Sequence, residues 1–149
     1  KNTVHKHPCY SIQIDYSHEN FSLSTNKELL LLGLTLDKVN LTNKKIQLFE
    51  LLQNVEVLRT VKVLKCQKED TVFYNLRNIF LATKIINLDL SNSIVNRKNV
   101  DDLISFLQSQ PSLKNVDLSN CEIEDSVICK ISDYLPNRMF VNFDLSSNK

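Results

Sequence analysis

The stretch Ile85-Ile86-Asn87-Leu88-Asp89-Leu90-Ser91-Asn92 decides the fold, because it returns as Leu113-Lys114-Asn115-Val116-Asp117-Leu118-Ser119-Asn120. Each copy has apolar residues at its first, fourth and sixth positions and small polar residues between and after them. The second copy closes with Cys121 and Ile123. The same interval toward the N-terminus reaches Leu58-x-x-Val61-x-Val63-x-x-Cys66, then Leu31-x-x-Leu34-x-Leu36-x-x-Val39-x-Leu41. Toward the C-terminus it reaches Phe140-x-x-Phe143-x-Leu145-x-x-Asn148. The lead residues at 31, 58, 85, 113 and 140 set a pitch of about 27 to 28 residues, and a constant pitch of this size marks a repeat architecture.

Each unit divides into a short alternating run and a longer helical pattern. The alternation predicts strands of about three to five residues. Good helix-starting residues follow: Thr42 or Asn43 before Ile46, Leu48, Phe49 and Leu52, and Asp70 or Thr71 before Val72, Leu76, Ile79 and Phe80. Asn99 precedes Val100, Leu103, Ile104 and Leu107, and Asp125 precedes Val127, Ile128, Ile131 and Leu135. Spacings of three and four put one apolar stripe on each helix. Pro111 and Pro136 stand where two helices should stop. Cys9-x-x-Ile12-x-Ile14 is a degenerate first strand, about 22 residues before the next, too short an interval for a full unit. Residues 1–8 are expected to be a flexible lead-in, and residues about 9–28 an N-terminal cap.

A chain of 149 residues is the length of one domain, with enough residues for a sizeable core. Its formal charge of +1 gives no general attraction to nucleic acid or to an anionic membrane. The longest apolar stretch, Leu29 to Leu36, is broken by Gly33 and Thr35 and falls short of a membrane span. Gly33 is the single glycine, whereas phosphate-binding loops, dinucleotide fingerprints and nucleophile elbows each need several. Cys66 and Cys121 occupy the same position two units apart, so their Cα atoms should lie about 10 Å apart, beyond disulfide reach. Buried, reduced thiols imply a cytoplasmic or nuclear setting. Asn20-Phe21-Ser22 and Asn40-Leu41-Thr42 match the glycosylation pattern, but about two such matches arise by chance in so Asn- and Ser-rich a chain.

Over residues 29–149 the chain resembles leucine-rich repeat proteins of the ribonuclease-inhibitor-like class, whose units hold a full helix. The resemblance implies an α/β solenoid: a horseshoe with a concave parallel sheet inside and convex helices outside, spanning residues 9–149 as the cap, four repeats and a partial one. It also implies a function in binding proteins, mostly along the concave sheet. Many repeats of this class carry Gly or Ala at the helix start, where this chain has Ser, Asn and charged residues, so no subfamily is assigned.

Residues between the apolar positions should point away from the helices and stack into columns across the strands. One column contains Gln13, Thr35, Lys62, Asp89, Asp117 and Asp144; its neighbour contains Ser11, Gly33, Thr60, Asn87, Asn115 and Asn142. Adjacent carboxylates about 4.8 Å apart in water repel by about 0.9 kcal/mol per pair. One explanation is that Asp at this position is a wet structural residue held by Asn and Ser partners. The other is an acidic strip facing a basic partner, with Arg59, Lys62 and Lys65 at the opposite pole. The candidate partner-binding residues are therefore Arg59, Lys62, Asn87, Asp89, Asn115, Asp117, Asn142 and Asp144. Replacing Asp89 and Asp117 by Ala should weaken binding and leave thermal stability nearly unchanged.

No catalytic, cofactor-binding or metal-ligating set emerges. His18 lacks a positioned nucleophile, and His5, His7 and Cys9 alternate without a second cluster. Lys and Arg are scattered and form no basic, aromatic-interleaved stripe for nucleic acid. The expectation is a non-catalytic protein-interaction module. The alternatives are a structural or ligand-sensing segment of a larger multidomain scaffold or receptor, or a GTPase-regulating repeat domain. The unit at Phe140 and Phe143 should leave an apolar end that associates with further chain or a partner.

Overall fold

The computed structural model describes the backbone of residues 11–15 and the full residues 33–37, 58–65 and 71–149. Among the described residues, six strands run in chain order: β1 Ser11–Asp15, β2 Gly33–Asp37, β3 Thr60–Leu64, β4 Asn87–Asp89, β5 Asn115–Asp117 and β6 Asn142–Asp144. All five pairings are parallel, and each strand lies beside its predecessor in the chain. Between the later strands come α1 Val72–Ile79, α2 Val100–Gln108 and α3 Asp125–Tyr134, followed by a 3₁₀ turn at Leu135–Asn137. The architecture is α/β with one parallel sheet. Parallel neighbours require a crossover, and these helices supply it.

The register reproduces both sequence columns. Gln13 pairs with Thr35, Thr35 with Lys62, Lys62 with Asp89, Asp89 with Asp117, and Asp117 with Asp144. The alternate residues form the core. Leu34, Leu36, Val61, Val63, Leu88, Leu90, Val116 and Leu118 join the helix residues Leu76, Val100, Leu103 and Ile131 in one buried cluster. The helices therefore cover one face of the sheet, and α1 packs beside α2, and α2 beside α3. Phe106, absent from the sequence-derived stripe of its helix, is fully buried with its ring 6.4 Å from that of Phe80.

The helix ends differ in detail from expectation. Thr71 and Asn99 stand at the N-caps of α1 and α2, but neither side chain bonds into its helix. Asn99 instead accepts from the backbone N–H of Asn96 at 2.8 Å and donates to Ile94 O at 3.0 Å, which ties down the incoming loop. Glu124, in extended conformation, precedes α3, and Asp125 is already helical. There the Asp125 carboxylate faces the positive end of the helix dipole, so it remains favourable one residue late. Pro136 stands two residues beyond the end of α3, as expected, within the 3₁₀ turn that follows it. Gln110, wholly buried, accepts from Ile85 N at 3.3 Å and donates to Phe80 O at 2.8 Å, so two interior backbone groups keep partners.

Among the described residues, left-handed φ marks the exits of β3, β4, β5 and β6 at Lys65, Asn92, Asn120 and Ser147, with Glu122 as an addition. The lone glycine takes no part in this, since Gly33 lies within β2. Asn tolerates this region because its short polar side chain bonds locally, and it fills the two central positions. The ninth position of the repeat joins neighbouring rungs. Ser93 Oγ donates to Val63 O at 3.3 Å, Cys121 Sγ contacts Leu90 O at 3.2 Å, and Asn148 Nδ2 donates to Leu118 O at 2.9 Å. Asn148 Oδ1 also accepts the N–H groups of Cys121 and Ile123. Burial pushes the Cys121 thiol up to about 11, so it stays protonated near neutrality and behaves as a core residue. The expectations for residues 1–8, for Cys66, His18 and the His5/His7/Cys9 set, and for the helix after Thr42, lie outside the described residues.

Candidate functional site

The face of the sheet opposite the helices is the candidate site. A shallow depression of about 290 Å³ crosses it, lined by Thr60, Lys62, Asn87, Asp89, Asn115, Asp117, Asn142 and Asp144, with the strand residues Leu88 and Val116 at its floor. Seven of the eight residues expected from the sequence meet there; Arg59 does not. It precedes β3, donates through Nη1 to Leu58 O at 3.1 Å, and holds the next unit through its own carbonyl, which accepts from Ile86 and Asn87 N–H. Thr60 takes its place in the depression. The Thr60 column was visible in the sequence, but nothing there distinguished a hydroxyl that terminates a hydrogen-bond chain.

That chain crosses four strands. Asn142 Nδ2 donates to Asn115 Oδ1 at 2.8 Å, Asn115 Nδ2 to Asn87 Oδ1 at 2.6 Å, and Asn87 Nδ2 to Thr60 Oγ1 at 3.0 Å. Every amide donates toward the earlier strand, so the side-chain dipoles align and polarise one another. Parallel register sets identical side chains at one inter-strand spacing, where an amide reaches its neighbour and its rotamer is held.

Each aspartate of the column commits one oxygen to a turn. Asp89, Asp117 and Asp144 each accept through Oδ1 the N–H two residues on, from Ser91, Ser119 and Ser146, at 3.0, 2.8 and 2.8 Å. These are Asx turns, and they fix the strand exit just before the left-handed residue. Asp89 Oδ2 also meets Lys62 Nζ at 3.4 Å, so the expected basic pole is partly neutralised within the molecule. Among the described residues, no ion pair joins Asp117 or Asp144 to a cation. The hydrogen bonds from Ser146 backbone and side chain hold the Asp144 carboxyl below its ordinary value. Replacing Asp89 and Asp117 by Ala therefore removes two turn hydrogen bonds. The expectation of nearly unchanged stability needs correcting to a loss of about 1 kcal/mol per site.

A second depression, of about 390 Å³, lies at the loops that follow the strands, among Arg97, Lys98, Glu122, Glu124 and Lys149. Nothing in the repeat pattern marked it. Its charges are largely paired internally: Arg97 with Glu124 at 3.8 Å and Lys149 with Glu122 at 3.2 Å. Among the described residues no cluster of His, Cys, Asp and Glu is arranged to hold a metal ion, and no helix is long and apolar enough to cross a membrane. No protein-family model, curated protein or solved structure matches the chain.

Proposed function

We propose that this chain is a leucine-rich repeat solenoid of the ribonuclease-inhibitor-like class, acting as a non-catalytic protein-interaction module. Its open sheet face is the concave surface of the horseshoe, and a protein partner seats across it. One observation supports this above the others: the open-face side chains are polar yet held in fixed positions by the Asn ladder and the Asx turns. A surface ordered before binding loses little side-chain entropy on binding, which is what a recognition face requires. The carboxylates of Asp117 and Asp144, without cation partners among the described residues, make a partner with basic side chains the best match. The free thiols of Cys121 and Cys129 favour a reducing compartment, cytoplasmic or nuclear.

The test is capture of partners from the native source by the parent chain and by an Asp117→Asn/Asp144→Asn variant, with quantitative mass spectrometry. Asn keeps the oxygen that accepts the Ser N–H but removes the charge, so the fold is spared. Proteins enriched by the parent should be lost from the variant, and the loss should grow at low salt, where the charge acts over longer range. Unchanged enrichment of the same proteins removes the acidic strip from the binding surface.

A further inference from the structure

The open face of β3–β6 repeats its side chains along a line that crosses the strands, not along any one of them. The Asn column from Thr60 to Asn142 and the Asp column from Lys62 to Asp144 advance one residue per rung, and the depression follows both over four strands. Rungs of a parallel sheet lie about 4.8 Å apart, so three steps cover about 14.4 Å. Further rungs at either end would lengthen the columns without covering this face.

A segment seated along the columns has to match that pitch. In an α-helix, residues i, i+3, i+7 and i+10 share one side and rise about 4.5, 10.5 and 15 Å, within about 1 Å of successive rungs. Alternate residues of an extended chain also share one side, but they advance about 6.7 Å at a time and overrun by more than a whole rung in three steps. An extended chain laid along one strand would meet only the single Asn and Asp of that rung.

Charge sets the composition of the helix. Asp117 and Asp144 each hold a turn N–H on Oδ1 and, among the described residues, carry no cation on Oδ2. Basic side chains three residues apart stand over these two rungs whichever way the helix runs, and an Arg fork can donate to both carboxylates at once. Asp89 already shares Lys62 at 3.4 Å, so the two earlier rungs favour neutral or acidic residues. The amides of Asn115 and Asn142 each spend one hydrogen on the ladder and keep a second for polar groups along the flank of the helix.

We propose that the partner enters this face as an α-helix lying across the strands, with two basic side chains three residues apart over Asp117 and Asp144. This rests on the open face being a recognition surface, and it names the element that the surface fits.

Fluorescence anisotropy at low salt tests it, with the full chain and labelled Ala-rich peptides of about 18 residues. The first peptide carries two arginines three residues apart. The second has them two apart, on opposite sides of a helix but on one side of a strand. The third keeps the spacing of three but has a proline between the arginines, which breaks the helix. The first should bind about tenfold more tightly than the other two. It should also gain helical circular dichroism on binding and shift the side-chain amide NMR signals of Asn115 and Asn142. Asp117→Asn/Asp144→Asn should abolish the preference. Equal affinity for the three peptides, lost together in the variant, overturns the helix and leaves the acidic recognition face standing. Binding of none, or binding that the variant leaves unchanged, overturns the proposal; the recognition face itself fails only if the variant also captures the same proteins as the parent.

Discussion

Strands β5 and β6 share a motif but not an environment. Asn115-Val116-Asp117-Leu118-Ser119-Asn120 and Asn142-Phe143-Asp144-Leu145-Ser146-Ser147 differ at two positions, and both form the same Asx turn at 2.8 Å. Yet Val116 and Leu118 are buried while Phe143 and Leu145 are only partly so, and Asp117 is half-buried where Asp144 is exposed. The motif sets the local conformation; the burial comes from having a neighbour on each side. A rung's stability is thus shared with the rungs beside it, as nearest-neighbour coupling in a repeat array requires.

The largest expected effect separates the two rungs by one chemistry. Leu118→Ala should cost about 3–4 kcal/mol in urea denaturation, because it opens a cavity in packed surroundings. Leu145→Ala, at the equivalent position, should cost about half as much, since part of its side chain already meets water. Equal losses would mean that β6 is as well covered as β5.

A smaller effect concerns the turns. Asp117→Ala should lower stability by about 1 kcal/mol by leaving the Ser119 N–H without its partner. Asp117→Asn should recover most of that loss. The same change at Asp144 should cost less, because water replaces the carboxylate at the exposed Ser146 N–H. Thermal melts of the three variants rank them.

The smallest effect is a pH dependence. The Asp144 carboxyl is depressed below 3.8 in the folded chain, so its stabilising contribution is present above that value and is lost as pH falls through the lower folded value. Carboxyl-carbon NMR should show Asp144 titrating below 3.8, and Ser146→Ala should raise it by removing the side-chain hydrogen bond. No rise would place the depression on the backbone N–H alone.

Much of this was legible in the sequence, for a definite reason. A parallel register repeats whatever the chain repeats, so the interval from Asn87 to Asn115 to Asn142 translates directly into adjacency. Cys121 was recognisable as core because it replaces Asn or Ser at the ninth position. Phe106 was left out of the stripe of α2 although it stands three residues after Leu103; it is buried with its ring against Phe80, the residue that ends α1. Arg59 lies outside the depression because it stands one residue before β3, where strict alternation no longer governs side-chain direction.

The sequence by itself determined the strand positions, their register and the division of each strand into core and open-face residues, since these follow from period and alternation. Only the tertiary structure decided how the open-face groups are used. It directs the amides in one chain of hydrogen bonds, commits one oxygen of each aspartate to a turn, and pairs Lys62 with Asp89. These depend on distances of a few ångströms between side chains about 27 residues apart, and a repeat pattern sets which residues meet but not which atoms bond.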